Sequence, residues 1–410
     1  MPHKPAVLRG LAAAIAVLLA VLAAMALAED EPILLASSCP PGFQKQAGDV
    51  CRLRTLYDQY DSLLGRGVGG TRTELPPRRD GFRAEQIDLG RYLFFDPLLS
   101  GDGSVSCASC HQPEKGFADG NGRSIGIQGT PTQRGAPSLW NTAFLQRFFW
   151  DGRAESLETQ MTGPLFAADE MGNSPEQLLA SLRANAVYPK LFAQAFPGSR
   201  ELTLDQVYTA IAAFEASLIS LNSRYDRYAH GHHAALSARE IAGLNVFRSF
   251  VARCAECHTP PLFTNQQLAV IGTPEPPGVA LDVGAEAVFN APQLKGAFKV
   301  PTLRNIARTS PYMHSGRFSS LREAVAFYNG GRGHAVPEGV EMQLHWHIWE
   351  PELTADELDL LVEFLFTLTD ESFVPRVPDR LPSGLPPIPY ASAVSVAPPG
   401  AATEEKEKLK

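Results

Sequence analysis

Cysteine, basic stripes and long apolar runs are all scarce in this chain of 410 residues, and each absence excludes a class of protein. Six cysteines are too few for a disulfide scaffold of this length. Lysine and arginine number 36 against 44 acidic residues and form no basic stripe, which argues against nucleic acid as a partner. Hydrophobic residues make up 44%, so the chain is not wholly disordered. The 34 glycines and 33 prolines predict long irregular loops.

A single apolar run lies at the N terminus. Lys4 and Arg9 precede an uncharged stretch, residues 10–28, that ends in Ala26-Leu27-Ala28. This arrangement is typical of a secretory signal peptide cleaved near Ala28, and the alternative is a retained membrane anchor. No later segment is long and apolar enough to span a membrane. We therefore expect an exported periplasmic protein without membrane contact after cleavage.

The six cysteines form three pairs. Cys39 and Cys51 bracket a short loop and predict a disulfide in an oxidising compartment. The other four lie in two identical frames, Cys107-Ala-Ser-Cys110-His111 and Cys254-Ala-Glu-Cys257-His258. C-x-x-C-H is the attachment signal of c-type haem, in which the thiols bind the haem and the histidine binds its iron. A zinc site or a thioredoxin-like pair is the alternative, but two copies predict two covalent haems.

An internal repeat follows the two motifs at a constant offset of 164 residues. Pro137-Ser-Leu-Trp-Asn141 matches Pro301-Thr-Leu-Arg-Asn305. Further on, Gly152-Arg153-Ala-Glu-Ser156-Leu157 matches Gly316-Arg317-Phe-Ser-Ser320-Leu321. The repeat predicts two related haem lobes.

The secondary structure predicted from the sequence is helical. An apolar stripe indicates a helix from about 203 to 220, and capping boxes open helices at Ser237, Ser320 and Thr354. No run of alternating strands is present. These patterns predict an all-α protein with two tandem c-type cytochrome-like haem domains and long irregular loops.

Further motifs are shared with a known family. In chain order they are Phe149-Trp-Asp-Gly-Arg-Ala154, Leu157-Glu-Thr-Gln160, Gly163-Pro164, Glu170-Met171 and Pro311-Tyr-Met-His-Ser-Gly316. Together with the C-x-x-C-H frames they resemble the bacterial dihaem cytochrome c peroxidase and MauG family over residues 82–372. The expected domains are a signal peptide (1–28), an N-terminal disulfide segment (29–79), a peroxide-reacting haem domain (80–230), an electron-transfer haem domain (231–372) and a proline-rich tail (373–410).

Cleavage of a peroxide bond needs an open iron position and a group that moves a proton between the two oxygens. Glu170 is the best proton carrier, because an apolar pocket raises the pKa of a carboxyl group. The resemblance places the family's pocket Glu, Gln and Pro at Glu170, Gln160 and Pro164, and it places Trp150 between the haems as an electron relay. The alternative for Glu170 and Gln160 is that they are ordinary polar residues on a helix surface, and the alternative for Trp150 is that it packs in the core.

The axial ligands distinguish the branches of this family. Where the peroxidases carry a distal histidine, this sequence has Ile127, which cannot bind iron, so we expect the first haem to be open opposite His111. On the second haem, opposite His258, both the resemblance to MauG and the repeat point to Tyr328, the equivalent of Pro164. Met313 is the rival ligand, and its thioether would raise the potential that tyrosinate lowers.

A calcium ion is a weaker expectation. The family binds one between the haems through an Asn and the carbonyls of a Thr-x-Pro. Thr309-Ser310-Pro311 matches the second part, but Gly135 replaces the Asn. Backbone carbonyls and water can still hold calcium, so the ion stays an open expectation.

One aromatic cluster has no part in these motifs. His345 and His347 alternate with Trp346 and precede Trp349. The cluster is interpreted as core packing, with a docking surface as the alternative.

Three functions are compatible with the sequence. The first is a MauG-like enzyme that uses hydrogen peroxide to form high-valent iron and oxidises Trp residues of a periplasmic partner protein at long range. The second is a peroxidase that takes electrons from a small cytochrome c. The third is a dihaem electron carrier, which would have no use for Glu170 and Gln160. The first is favoured by Ile127 and Tyr328.

Overall fold

Helices make up most of the regular structure. The computed structural model describes residues 32–58, 74–331 and 333–388, so the predicted signal peptide and the end of the predicted tail lie outside it. Among these residues we find no helix with the length and apolarity needed to cross a membrane. The α-helices are α1 (Ala84–Phe95), α2 (Cys107–Cys110), α3 (Leu157–Phe166), α4 (Pro175–Ala184), α5 (Tyr188–Ala195), α6 (Leu204–Ala216), α7 (Arg224–Ala229), α8 (Ala238–Phe247), α9 (Cys254–Cys257), α10 (Ala285–Phe289), α11 (Leu321–Asn329) and α12 (Ala355–Phe366).

The helices begin where the capping boxes predict. The side-chain oxygens of Ser237, Ser320 and Thr354 each accept a hydrogen bond from the backbone N–H of the glutamate three residues later. The carboxylate of that glutamate accepts a second bond from the backbone N–H of the capping residue. They open α8, α11 and α12. The helix predicted at 203–220 is α6, which ends at Ala216. The three capping predictions are confirmed, and the fourth helix is present but ends four residues before the predicted end at about 220.

Five short strands among the described residues qualify the all-α prediction. They form a three-stranded antiparallel sheet in the order β1-β2-β3 and an antiparallel pair β4-β5. Strands of two to four residues are too short to show an alternating pattern, which is why the sequence does not reveal them. The protein is therefore mainly helical. The strands are β1 (Phe43–Gln46), β2 (Val50–Leu53), β3 (Phe82–Arg83), β4 (Leu268–Val270) and β5 (Ala297–Lys299).

The predicted disulfide between Cys39 and Cys51 is present and fastens the chain before β1 to the middle of β2. The buried Cys51 belongs to a small apolar cluster with Ile87 of α1 and Ala213 of α6. The stapled sheet therefore covers one side of the packed pair α1 and α6.

Two hydrophobic clusters organise the helices. In the N-terminal core α1 packs against α6, and in the C-terminal core α8 packs against α12. Both crossings are close: a Cβ on Gly90 would lie 1.8 Å from the Ala210 carbonyl oxygen, and one on Gly243 would lie 2.0 Å from that of Leu360. Glycine is required at both places, so the two helix pairs resemble each other in detail. The predicted domain boundaries at 80–230 and 231–372 stay predictions.

Part of the predicted proline-rich tail returns to the N-terminal core. Leu381 is buried in that core, and the Ser383 N–H donates a hydrogen bond to Asp96. Arg91 of α1 donates to the Arg376 carbonyl. Residues 376–383 thus form a strap over α1.

A fully buried ion pair connects the N-terminal segment to the C-terminal core. Arg304 donates to both carboxylate oxygens of Asp226 at 2.6 and 2.7 Å, and neither side chain is exposed. Tyr57 donates its hydroxyl to the same carboxylate, and Arg304 also donates to the Pro261 carbonyl. Burial acts to raise the pKa of Asp226, but Arg304 and the hydrogen bonds outweigh it and lower the pKa.

We predict that Asp226→Asn lowers the free energy of unfolding by about 3–5 kcal/mol, because it leaves the Arg304 charge buried without a counter-charge. Since the folded-state pKa of Asp226 is lowered, its contribution is present above the unfolded-state pKa and is lost as the pH falls through the folded-state value. Urea unfolding of the holoprotein at several pH values measures both effects.

The exposed pair Arg376–Asp379 offers a matched control. Asp379→Asn should change the free energy of unfolding by less than about 0.5 kcal/mol. Equal effects of the two substitutions would contradict the role given to the buried pair.

Candidate functional site

Each C-x-x-C-H frame folds as a single helical turn that ends at its histidine. In α2 the His111 N–H donates to the Cys107 carbonyl at 3.0 Å, and in α9 the His258 N–H donates to the Cys254 carbonyl at 2.8 Å. All four cysteines are free of disulfides. One turn therefore presents two thiols and an imidazole together, as covalent haem attachment requires.

The two histidines are oriented by the same kind of bond. His111 Nδ1 lies 2.8 Å from the Phe117 carbonyl oxygen, and the Pro137 carbonyl also faces the ring. His258 Nδ1 lies 3.2 Å from the Phe263 carbonyl and 3.1 Å from that of Pro301. A carbonyl only accepts, so Nδ1 carries the proton and Nε2 is left as the metal ligand. Burial lowers the pKa of both imidazoles, which keeps them neutral.

A cavity of about 270 Å³ lies beside the second motif. Cys254, Cys257 and His258 line it, and so do both predicted rival ligands, Tyr328 and Met313. Burial raises the pKa of the Tyr328 hydroxyl, so a tyrosinate there depends on a neighbouring cation such as iron. These residues fit a c-type haem.

The internal repeat is visible as repeated structure. Isolated bridges join Phe148 to Ala154 and Tyr312 to Phe318, 164 residues apart. Ser156 and Ser320 then cap α3 and α11. The predicted equivalence of Pro164 and Tyr328 follows, because they occupy the same position in equivalent helices.

The predicted peroxide-binding residues lie on α3 and the turn after it. Gln160 and Pro164 are one turn apart on α3, and the Met171 N–H returns to the Pro164 carbonyl at 3.0 Å. Burial and the neighbouring Asp169 raise the pKa of Glu170. Its carboxylate also acts electrostatically on Cys110, which places it toward the first haem motif.

Ile127, at the position where the family resemblance predicts a distal histidine, lies beside the Glu170 backbone. Its N–H donates to the Glu170 carbonyl at 2.8 Å, and its side chain is buried. A Cβ on Gly172 would lie 2.2 Å from Ile127 Cδ1, so the side chain packs against that glycine. The position holds an apolar group and no iron ligand.

Trp150 is held by hydrogen bonds from both halves of the repeat. Its indole N–H donates to the Gly135 carbonyl at 2.9 Å, and its own carbonyl accepts from the Lys299 N–H at 2.6 Å. Its ring centroid lies 6.4 Å from that of His314, which stacks on Phe298 at 3.8 Å.

The sequence prediction missed His314 and Lys299. His314 is buried, and its Nε2 lies 2.8 Å from Glu275 Oε1. The offset of 164 residues that relates Pro164 to Tyr328 also relates Trp150 to His314, so the signal was present. Lys299 is buried at the cavity wall, and burial lowers its pKa to about 8. A single lysine carries no sequence signal of this kind.

The residues predicted to bind calcium lie close to Trp150. Thr309, Pro311 and Gly135 line the same cavity as Trp150. A Cβ on Gly135 would lie 3.1 Å from the Asn121 and Gly122 carbonyl oxygens, so carbonyls rather than a side chain surround this point. Calcium here stays a prediction.

Comparison with known proteins gives a family match. The profile of the family described as "Di-haem cytochrome c peroxidase" matches residues 84–234. The chain is 36% identical over 295 residues to the methylamine utilization protein MauG of Methylorubrum extorquens, covering 72% of this chain and 81% of that protein. It is also 36% identical over 307 residues to the cytochrome c551 peroxidase of Nitrosomonas europaea, covering 73% and 84%.

A solved structure is similar over most of its length. It is a MauG-like protein associated with microbial copper homeostasis, 35% identical, with a TM-score of 0.68. The match covers 74% of this chain and 96% of that one.

We predict that replacing both cysteines of one motif, as in Cys107→Ala/Cys110→Ala, reduces the haem content from two to one per chain, because the thioethers are the covalent anchors. The pyridine haemochrome absorbance and the intact mass measure this ratio. The corresponding change at Cys254 and Cys257 should have the same effect. Cys39→Ala/Cys51→Ala is the matched control and should keep both haems; a ratio unaffected by the motif changes would contradict the assignment.

Proposed function

Because this chain belongs to the di-haem cytochrome c peroxidase family, whose members are peroxide-dependent dihaem enzymes, we propose that it is a MauG-like oxidoreductase. It uses hydrogen peroxide to oxidise a partner protein, at Trp residues, through long-range electron transfer. We also propose that it is exported to the periplasm by the N-terminal signal peptide.

Two groups of residues hold the cofactors in this proposal. Cys107, Cys110 and His111 would hold the first haem, and Cys254, Cys257, His258 and Tyr328 would hold the second. When bound, the haems supply the iron that receives peroxide and stores its two oxidising equivalents. Within the described part of the chain no carboxylate forms an ion pair with Lys299, and this lysine would pair with a haem carboxylate.

The first haem face is where the chain handles peroxide. Glu170 takes the proton of the inner peroxide oxygen and returns it to the outer oxygen, which leaves as water. Burial raises the pKa of Glu170, which makes its carboxylate a stronger proton acceptor than an exposed one. Gln160 orients the peroxide, and Pro164 has no N–H to attract water.

The observation that carries the proposal is the buried, apolar side chain of Ile127. A histidine there would close the first haem until a conformational change removed it. Ile127 is buried, its N–H donates to the Glu170 carbonyl, and its side chain offers no iron ligand, from which we infer that the face is open at rest. Peroxide then needs no prior reduction of the protein.

Trp150 relays electrons between the two haems. Its N–H points at a carbonyl, which cannot accept a proton. An oxidised Trp150 therefore keeps its proton and passes only the electron deficit on. The hydrogen bonds from both halves fix the ring and limit its reorganisation.

A peroxidase that draws electrons from a small cytochrome c is the second candidate. Met313 lines the same cavity as Tyr328, and a methionine ligand would give the higher potential that electron entry needs. The equal identity to the Nitrosomonas europaea peroxidase also supports it.

We predict that stoichiometric peroxide, added to the diferric protein without reductant, immediately changes the Soret band and produces a near-infrared charge-sharing band. Tyr328→Phe should abolish the near-infrared band, because the second haem loses its anionic ligand. Tyr208→Phe, on the surface of α6, should leave it unchanged. A protein that responds only after half-reduction would be a conventional peroxidase.

We predict that Glu170→Gln slows the reaction with peroxide by about 100-fold or more, because the amide cannot move the proton. Stopped-flow measurement of the Soret change gives the rate and its pH dependence. Glu176→Gln, exposed on α4, is the matched control and should react like the wild type. A normal rate in Glu170→Gln would assign the proton transfer to another group.

A further inference from the structure

The aromatic cluster at residues 345–349 lies beside the second haem motif, and its second residue, Trp346, faces solvent. Trp346 is 66% exposed. The segment is anchored by the His345 N–H, which donates to the Val270 carbonyl of β4 at 2.8 Å. The interpretation of the cluster as packing therefore does not hold for Trp346, although it does hold for the neighbouring residues.

A continuous chain of contacts leads from the second motif to this exposed indole. A ring nitrogen of His347 lies within 4.8 Å of Cys257 Sγ, the atom that carries the haem thioether. The His347 and Trp346 ring centroids are 3.7 Å apart. His347 also lines the cavity of the second haem. The rate of electron tunnelling falls exponentially with distance. These short steps therefore make Trp346 a favourable point for electrons to pass between the second haem and the surface.

A metal ion is the other reading of this group, since His345, His347 and Cys257 offer three ligand atoms. The Cys257 sulfur is already used by the haem thioether. His347 Nε2 lies 2.7 Å from Glu256 Oε2. The group therefore fits a relay better than a metal site.

The surroundings of Trp346 differ from those of the nearby Trp349. Trp349 donates its N–H to the Val251 carbonyl and lies under the Arg253 guanidinium at 4.1 Å. The nearby cation opposes the loss of an electron from Trp349. Trp346 is farther from that cation, at 5.5 Å, and its exposed indole can give its proton to water.

We propose that Trp346 is the relay residue through which the second haem exchanges single electrons with a partner protein. The direction of net transfer rests on the proposed function. For each peroxide reduced to two waters, two electrons and two protons are consumed. Trp346 loses one electron to the haem pair and regains one from the partner, and this occurs twice per turnover.

The test compares Trp346→Phe, Trp346→Tyr and Trp349→Phe in the holoprotein. The readout is the stopped-flow rate at which reduced mitochondrial-type cytochrome c donates electrons to the peroxide-treated enzyme. Trp346→Phe should be slower by about tenfold or more, since the transfer barrier rises without the relay. Trp346→Tyr should recover part of the rate because phenol is also oxidisable, and Trp349→Phe should stay within about twofold.

Peptide mapping gives a second readout that packing would not affect. After peroxide treatment without a partner, oxygen should be incorporated at Trp346 in preference to Trp349. Unchanged electron transfer in Trp346→Phe together with no labelling of Trp346 would overturn the proposal.

The two proposals fail separately. The Soret response to peroxide in the diferric protein tests the MauG-like function and should be the same in Trp346→Phe as in the wild type. If that response is absent, the same variants are compared in the half-reduced enzyme or in simple reduction of the diferric protein. A slow Trp346→Phe there still supports the relay, with electrons entering instead of leaving.

Discussion

The Nδ1–H bond from each motif histidine to a backbone carbonyl is the interaction on which the rest of the site depends. It fixes the imidazole so that Nε2 faces the haem. One accepting carbonyl follows the motif directly, and the other belongs to the proline that begins the repeated segment, Pro137 or Pro301. The repeated segment must therefore close against its own histidine. This closure positions the residues that follow the segment in each half, where equivalent residues are 164 positions apart.

The same offset explains how the two halves meet. The Gly135 N–H donates to the His314 carbonyl at 3.0 Å, and the Lys299 N–H donates to the Trp150 carbonyl at 2.6 Å. Gly135 corresponds to Lys299 and Trp150 to His314, so each half makes the same bond to the other. The rings of Trp150 and His314 face each other where these bonds are exchanged. An interface of exchanged equivalent bonds holds two rings in contact without a long connecting segment.

Local signals allowed much of this to be predicted from the sequence. The C-x-x-C-H frames, the capping boxes and the repeat each act over a few residues or at one constant offset, and the structure agrees with them. The strands were missed because they are two to four residues long. The Asp226–Arg304 pair, the strap at Leu381 and buried Lys299 depend on contacts between distant segments, for which a single sequence holds no periodic signal.

Duplication also explains how one scaffold supports two different haem faces. The third turn of α3 carries Pro164, and the same position of α11 carries Tyr328. Proline offers neither a donor nor a ligand atom, so the face beneath it is available to a small molecule, with Glu170 beside it. Tyrosine offers an oxygen that can occupy the iron from within the protein. Under the proposed function, a single exchanged side chain would separate a reacting face from a closed one, while the histidines, caps and glycine crossings are common to both halves.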